Sequence, residues 1–210
     1  DLKTPSNEKE KKASEVSSRV GLLWKAAEWV SAFGSYSESF KTPDANAMIF
    51  ETPNIFAPNP NVDPQTAAHY EAGLRGTAGK HVRWKTTGFY IQTKKEILFN
   101  DITNLNENFD TNRSGVETAV EFRFNEQVSL NANHTYAHAT FDNGAFDDRA
   151  VPLTPRHRWA AGVEWKPAPS WTLATRVVGV HDQWALNDFN NLFPVEDYWT
   201  LSARAAYRVG

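Results

Sequence analysis

The stretch Gly115-Val116-Glu117-Thr118-Ala119-Val120-Glu121-Phe122-Arg123-Phe124 alternates without a break. Val116, Thr118, Val120, Phe122 and Phe124 fall on one face, and Glu117, Ala119, Glu121 and Arg123 on the other. A period of two is the mark of a β-strand whose faces meet different surroundings. Outward from it the same pattern recurs. Residues 159–165 set Trp159, Ala161, Val163 and Trp165 against Ala160, Gly162 and Glu164; residues 199–209 set Trp199, Leu201, Ala203, Ala205, Tyr207 and Val209 against Thr200, Ser202, Arg204, Ala206 and Arg208. With 19–25, 29–40, 69–75, 82–99, 128–141 and 171–180, nine strands are expected, many about 9–11 residues long or slightly longer, the length that crosses a bilayer at a tilt. No helix of useful length is predicted.

The connections alternate in length. Those at 25–29, 77–82, 125–127 and 166–171 are tight, and those at 41–66, 100–113, 142–156 and 182–197 are long and polar. In an up-and-down meander every second connection lies at the same end, so all short turns share one end and all long loops the other. Transmembrane β-barrels are built this way. The alternation alone also fits a soluble all-β domain with one wet face per sheet. Strand length, Trp at strand ends and loop parity favour the barrel.

Composition narrows the classes. A net charge of −3 with no basic stripe sets nucleic-acid binding aside. Without cysteine there is no disulfide framework, zinc finger or thiol nucleophile. No run approaches the ~20 apolar residues of a membrane-spanning helix, which leaves a barrel open because alternation halves the hydropathy of each strand. Aromatic content of 13%, with eight Trp, suits aromatic girdles. Residues 1–18 are polar and aperiodic and read as an outward loop or tail, with the barrel portion from 19 to 210; no signal peptide is visible at Asp1-Leu2-Lys3, as for a mature, processed or internal segment. Nine is an odd count, whereas single-chain bacterial barrels have even ones, and an open nine-stranded sheet has two bare edges. A larger barrel is implied.

Ordered blocks carry a resemblance. Ser35-Tyr36-Ser37-Glu38-Ser39-Phe40-Lys41-Thr42-Pro43, Asn59-Pro60-Asn61-Val62-Asp63-Pro64-Gln65-Thr66 and Tyr70-Glu71-Ala72-Gly73-Leu74-Arg75-Gly76 follow one another, then Gly88-Phe89-Tyr90 with Lys95-Glu96-Ile97. Asn112-Arg113-Ser114-Gly115-Val116-Glu117, Pro152-Leu153-Thr154-Pro155-Arg156-His157-Arg158 and Asp197-Tyr198-Trp199-Thr200-Leu201-Ser202-Ala203-Arg204 complete the series. Together they resemble the C-terminal part of the TonB-dependent outer-membrane receptors. The resemblance implies an all-β, antiparallel up-and-down transmembrane barrel of about 22 strands with a plugged lumen. This chain would supply about nine of those strands, ending about two strands short of the family's C-terminus, without the plug or the TonB-contacting box. It implies a bacterial outer-membrane location and uptake of a scarce nutrient, with a ferric siderophore expected. The implied partners are the lipid bilayer, the remaining strands and plug, the TonB energy-coupling system and a metal-chelate ligand. A haem receptor of the kind with a His between the first two boxes is disfavoured, since none lies between Pro43 and Asn59. Two other classes stay open: a non-transporting interaction subunit built on a barrel fragment, and an outer-membrane barrel enzyme.

Site candidates lie in the outward loops. Met48, Ile49, Phe50, Ile55 and Phe56 make the first long loop apolar, for ligand contact or for self-packing as in a compact loop. The expected ligand contacts are Phe50, Phe56, Asn59, Phe146, Arg149, Arg156, Trp184 and Phe189. Residues 142–149 are acidic and turn-rich but lack the spacing of a calcium loop. His134 and His138 share a strand face about 13 Å apart, too far to chelate one metal. Arg156-His157-Arg158 is a cationic junction that steers an anionic chelate or pairs with lumen Glu side chains. No nucleophile elbow, phosphate loop or HExxH occurs, so no catalytic residue, cofactor or resident metal is expected.

Overall fold

Each alternating segment forms a strand, and the strands pair in chain order. The computed structural model describes residues 16–44, 49–52, 55–59 and 61–209, and leaves aside the side chains of 49–52 and 55–58. The strands are β1 (Arg19–Ala27), β2 (Val30–Lys41), β3 (Ile49–Thr52), β4 (Ile55–Pro58), β5 (Gln65–Ala78), β6 (Val82–Asn100), β7 (Leu105–Arg123), β8 (Val128–Phe141), β9 (His157–Trp165), β10 (Trp171–His181), β11 (Gln183–Trp184), β12 (Pro194–Val195) and β13 (Tyr198–Tyr207). Nine of them form one antiparallel sheet in the order β1-β2-β5-β6-β7-β8-β9-β10-β13. β3–β4 and β11–β12 are small hairpins inside two of the long connections. The sheet does not close on itself; β1 and β13 are its edges.

Register carries the two faces unbroken across the sheet. Leu22 pairs with Gly34, Ala32 with Leu74, Trp84 with Val120, Leu130 with Val163 and Val177 with Leu201. This apolar face is bare: Leu22 is 76% exposed, Trp199 68% and Leu201 66%. Water would not tolerate so continuous an apolar surface, but hydrocarbon is its natural solvent. Aromatic side chains bracket it. Tyr36, Tyr70 and Tyr90 line up with centroids 5.0 and 6.2 Å apart at the loop end, and Trp171 and Tyr207 meet at 5.0 Å at the turn end. Trp199 and Tyr207 on β13 lie about 27 Å apart along the strand, comparable to the roughly 25 Å apolar band of such barrels.

The opposite face lines the concave lumen and carries Glu71, Arg75, Lys85, Glu117, Glu121, Asn131, Arg176 and Arg204. Two lumen glycines admit aromatic rings: Phe33 lies over its partner Gly73, and Phe89 over Gly115, where a Cβ would come 2.6 Å from each ring. With lipid on one side and lumen on the other, the span has no interior of its own. The deeply buried apolar side chains include Val62, Phe141, Val151 and Phe189, which gather at the outer rim.

One connection differs from expectation. Residues 100–113 form no long loop: β6 and β7 run on together for 19 residues each, and the connection is only the turn between Asn100 and Leu105. Past the bilayer both faces of a strand meet polar surroundings, so alternation stops marking it. The Asn side chains that read as loop instead brace the hairpin. The Asn108 amide donates to the Lys95 carbonyl at 2.6 Å, and the Asn100 amide to Glu107 at 2.9 Å.

Replacing Val163, on the bare face between Trp159 and Trp165, with Arg is expected to destabilise the barrel by about 2–4 kcal/mol. Asn133→Arg on the lumen face should shift it far less. Reversible denaturant unfolding in lipid vesicles measures both; equal effects would contradict the assignment of the two faces.

Candidate functional site at the outer rim

The rim is built on the long β6–β7 hairpin. A bulge between Thr93 and Glu96, with Lys95 at φ 57°, inserts an extra residue and returns Glu96 to the lumen side. There Arg113 grips Glu96 with two bonds of 2.8 Å, and the fully buried Thr111 hydroxyl donates to the same carboxylate. On the outer side Lys94 Nζ bridges Asp110 at 3.0 Å and Asp142 at 3.1 Å, tying β6 to β7 and to the end of β8. Burial pushes the Asp110 carboxyl up, but the Lys95 amide and the Lys94 ammonium outweigh it and hold it below the usual range. The hydrogen bonds to Asp110 and Asp142 hold Lys94 above the ordinary lysine value.

Four phenylalanines join two loops to this frame. Phe109 and Phe141 lie on the lumen-facing side of β7 and β8; Phe146 comes from the 3₁₀ turn Gly144–Phe146, and Phe189 from the connection between β10 and β13. All six pairs have ring centroids 5.1–6.1 Å apart. Hydrogen bonds fasten the same two loops. Asn191 donates to the Ala150 carbonyl at 2.9 Å and accepts from its amide at 2.7 Å, and the Leu153 amide donates to the Trp184 carbonyl at 3.0 Å. The first long loop is clamped separately: Asn59 donates to the Asn106 carbonyl at 2.8 Å, the Asp63 amide to Asn108 at 2.7 Å, and Lys95 bonds Asp63 at 2.9 Å.

The expected contact residues divide accordingly. Asn59 and Phe189 are 6% and 4% exposed, so their side chains hold loops together and offer no open surface. Phe146 and Trp184 are half-buried in the same assembly. Arg156 pairs with Asp182 at 3.4 Å, a loop carboxylate and not a lumen glutamate. Arg149 is exposed. The side chains of Phe50 and Phe56, with Met48, Ile49 and Ile55, lie outside the described residues. In the two joined loops Leu153, Leu186, Leu192 and Phe193 are exposed apolar side chains, at 51–67%, and Ile102 at the β6–β7 turn is 74% exposed. The sequence reading passed over them, and the signal available was Leu192-Phe193 within an otherwise polar connection.

Near the 142–149 segment, Asp142 is engaged by Lys94 and Asn112. Among the described residues no three His or acidic side chains gather to hold a metal. His134 meets His157 across the strand pair, at 3.2 Å between ring nitrogens. Also on β9, Trp159 Nε1, a donor only, bonds Nε2 of His181 on β10 at 2.9 Å. His181 therefore carries its proton on Nδ1 and donates it to Asp197 at 2.9 Å, and that bond holds the Asp197 carboxyl below the usual range.

Comparison with known proteins now gives this rim a family. The model of the TonB-dependent receptor-like β-barrel matches residues 1–210, and the chain belongs to that family. Among solved structures, the copper transporter OprC superposes with a TM-score of 0.71 at 18% identity over 92% of this chain and 31% of its own. The ferric yersiniabactin uptake receptor FyuA from Yersinia pestis gives 0.70 at 18% identity, over 90% of this chain and 29% of its own. These likenesses establish the fold. An iron-regulated outer membrane virulence protein of Vibrio cholerae is 23% identical over 175 residues, which is 73% of this chain and 27% of that protein. The chain thus spans under a third of the length of these relatives.

Phe189→Ala is expected to cost about 3–5 kcal/mol locally and to loosen both joined loops together; limited proteolysis should then cut 142–156 and 182–197 at similarly raised rates. Cutting confined to 182–197 would show the loops to be independent. The Lys94–Asp110 bond has a pH window. Asp110, with its lowered pKa, contributes stability above the ordinary carboxylate range and loses it as pH falls through that lowered value. Lys94, with its raised pKa, contributes below the ordinary lysine range and loses it only as pH rises through the raised value. Hydrogen exchange of the Lys95 amide, bonded to Asp110 at 2.9 Å, should stay slow relative to Asp110→Asn across that window.

Proposed function

We propose that the receptor containing these strands resides in the bacterial outer membrane and takes up a scarce nutrient, and that the nutrient is a ferric siderophore. The carrying observation is the family match over the whole chain. An iron-regulated relative and structural neighbours such as FyuA and the ferric citrate transporter FecA, whose names specify ferric chelates, direct the choice toward iron. OprC, a copper transporter of the same fold, marks copper as the competing cargo. In this reading the strands form barrel wall, the joined loops frame the mouth, and exposed Leu153, Leu186, Leu192, Phe193 and Arg149 face the incoming ligand. An apolar surface with a nearby cation suits a large anionic chelate. A plug and the TonB system complete the cycle, and the receptor works by binding and passage, with no covalent chemistry assigned to its residues.

Iron-limited cells carrying or lacking the receptor gene test this. Radiolabelled ferric siderophore uptake should require both the gene and a proton-motive force, and Arg149→Glu should weaken binding about tenfold. Receptor-dependent copper uptake with no ferric-chelate binding would move the assignment to copper.

A further inference from the structure

The bare outward face carries an exception to its apolar run. Thr118 on β7 pairs with His134 on β8, and His134 with Trp159 on β9; one step outward Tyr136 pairs with His157. Both histidines therefore stand on the outward wall, diagonal to each other across the β8–β9 ladder, where long side chains still meet. His157 opens β9, beside the connection from β8, so the pair lies where the wall leaves hydrocarbon. Tyr136 and Trp159 flank it, as aromatic side chains do at a membrane interface. An ionisable ring is tolerated there and costly deeper.

The chain has six histidines. Nδ1 of His81 donates to the Arg123 carbonyl at 2.6 Å, and His69 lies 3.3 Å from the Ser39 hydroxyl. His181 is saturated between Trp159 and Asp197. His134 and His157 bond only each other among the described residues, Nε2 of His134 lying 3.2 Å from Nδ1 of His157 with the ring planes 16° from parallel. The Tyr136 ring braces His157 from 5.2 Å. His134 is exposed and His157 half-buried, so an ion in solution reaches both. The sequence offered only the His134–His138 spacing; the fold supplies the nearer partner from the next strand.

Two imidazoles on one tetrahedral ion, each bonded at about 2.0–2.1 Å, hold their nitrogens roughly 3.3 Å apart. The separation found here is already that bite. A hydrogen bond between the rings gives the same distance, with one facing nitrogen protonated. On binding an ion, that proton moves to the other nitrogen of its own ring, both facing nitrogens become ligands, and a modest swing of the rings brings their lone pairs together. An imidazole set favours late first-row ions, copper(II) above nickel or zinc, and offers little to magnesium or calcium. Among the described residues no third His or acidic ligand joins the pair, so water completes the coordination.

We propose that His134 and His157 form a two-histidine site for a late first-row divalent ion, copper(II) most tightly, which staples β8 to β9 on the outside of the barrel wall. The site is separate from the lumen and the mouth, and it does not depend on which cargo the receptor carries.

Full-length receptor, stripped of metal and held in detergent micelles, is titrated with copper(II) and followed by electron paramagnetic resonance. One bound ion with hyperfine coupling to two imidazole nitrogens is expected. His134→Asn and His157→Asn should each weaken that binding by at least about a hundredfold, since the outer partners of metal ligands are alone worth roughly 10–100-fold. His138→Asn, on the same strand and face, should leave it unchanged. Copper(II) at about 100 times its Kd should favour the folded receptor about a hundredfold in denaturant unfolding, and neither Asn variant should respond. Heat-modifiable gel mobility shows whether each variant has assembled, and His134→Gln or His157→Gln replaces one that has not. Copper binding that survives in both assembled variants would put the ion elsewhere and overturn the proposal. So would a native receptor that binds no copper, leaving a proton as the pair's sole occupant. Failure of ferric siderophore uptake by the native receptor would refute the transport reading and leave this site standing.

Discussion

A peptide group in hydrocarbon has no water to bond, and each unsatisfied N–H or C=O there costs several kcal/mol. Strands therefore cross a membrane only when both of their edges are laddered. In this chain seven of the nine large strands have partners on both sides, and β1 and β13 have one each. Much else follows from the ladder. Antiparallel pairing in chain order sorts the connections to two ends, and continuous register delivers one face to lipid and the other to the lumen. The two free edges call for further strands before the sheet can sit in a bilayer.

The division of solvents inverts the usual arrangement of a domain. Apolar side chains of the span point outward into lipid, and the lumen wall is polar, so conventional burial appears where the chain leaves the membrane. At the rim, Phe109, Phe141, Phe146 and Phe189 make a small core that joins two loops to the β7–β8 frame. The bulge at Lys94–Lys95 serves the same end. By turning Glu96 into the lumen and leaving Lys94 outside, it gives each side of the hairpin its own ionic tie, Arg113 within and Asp110 with Asp142 without.

Legibility in the sequence tracked the contrast between those solvents. Where lipid faces lumen, as at Val116–Phe124 or Trp159–Trp165, alternation located the strands to within a few residues. Where both sides are polar the contrast vanished, and 105–113 read as loop although it is laddered strand. Phe146 and Phe189 looked like ligand contacts because an aromatic side chain in a polar loop has two fates, open surface or local core, and composition does not separate them. Arg156 was expected to steer a ligand or meet a lumen glutamate; its partner Asp182 is remote in sequence and became visible only when the β8–β9 and β10–β13 connections were seen side by side.

The sequence by itself determined the all-β meander, its nine membrane strands, the faces of the residues in the cleanly alternating segments and the family, because these depend on period, parity and ordered local motifs. Tertiary structure alone decided which loop residues pack and which stay exposed, where the β6–β7 hairpin ends, and which charges find partners. Those outcomes depend on side chains brought together from distant parts of the chain, such as Asn191 against Ala150 and Lys94 against Asp142. No local pattern encodes such a meeting.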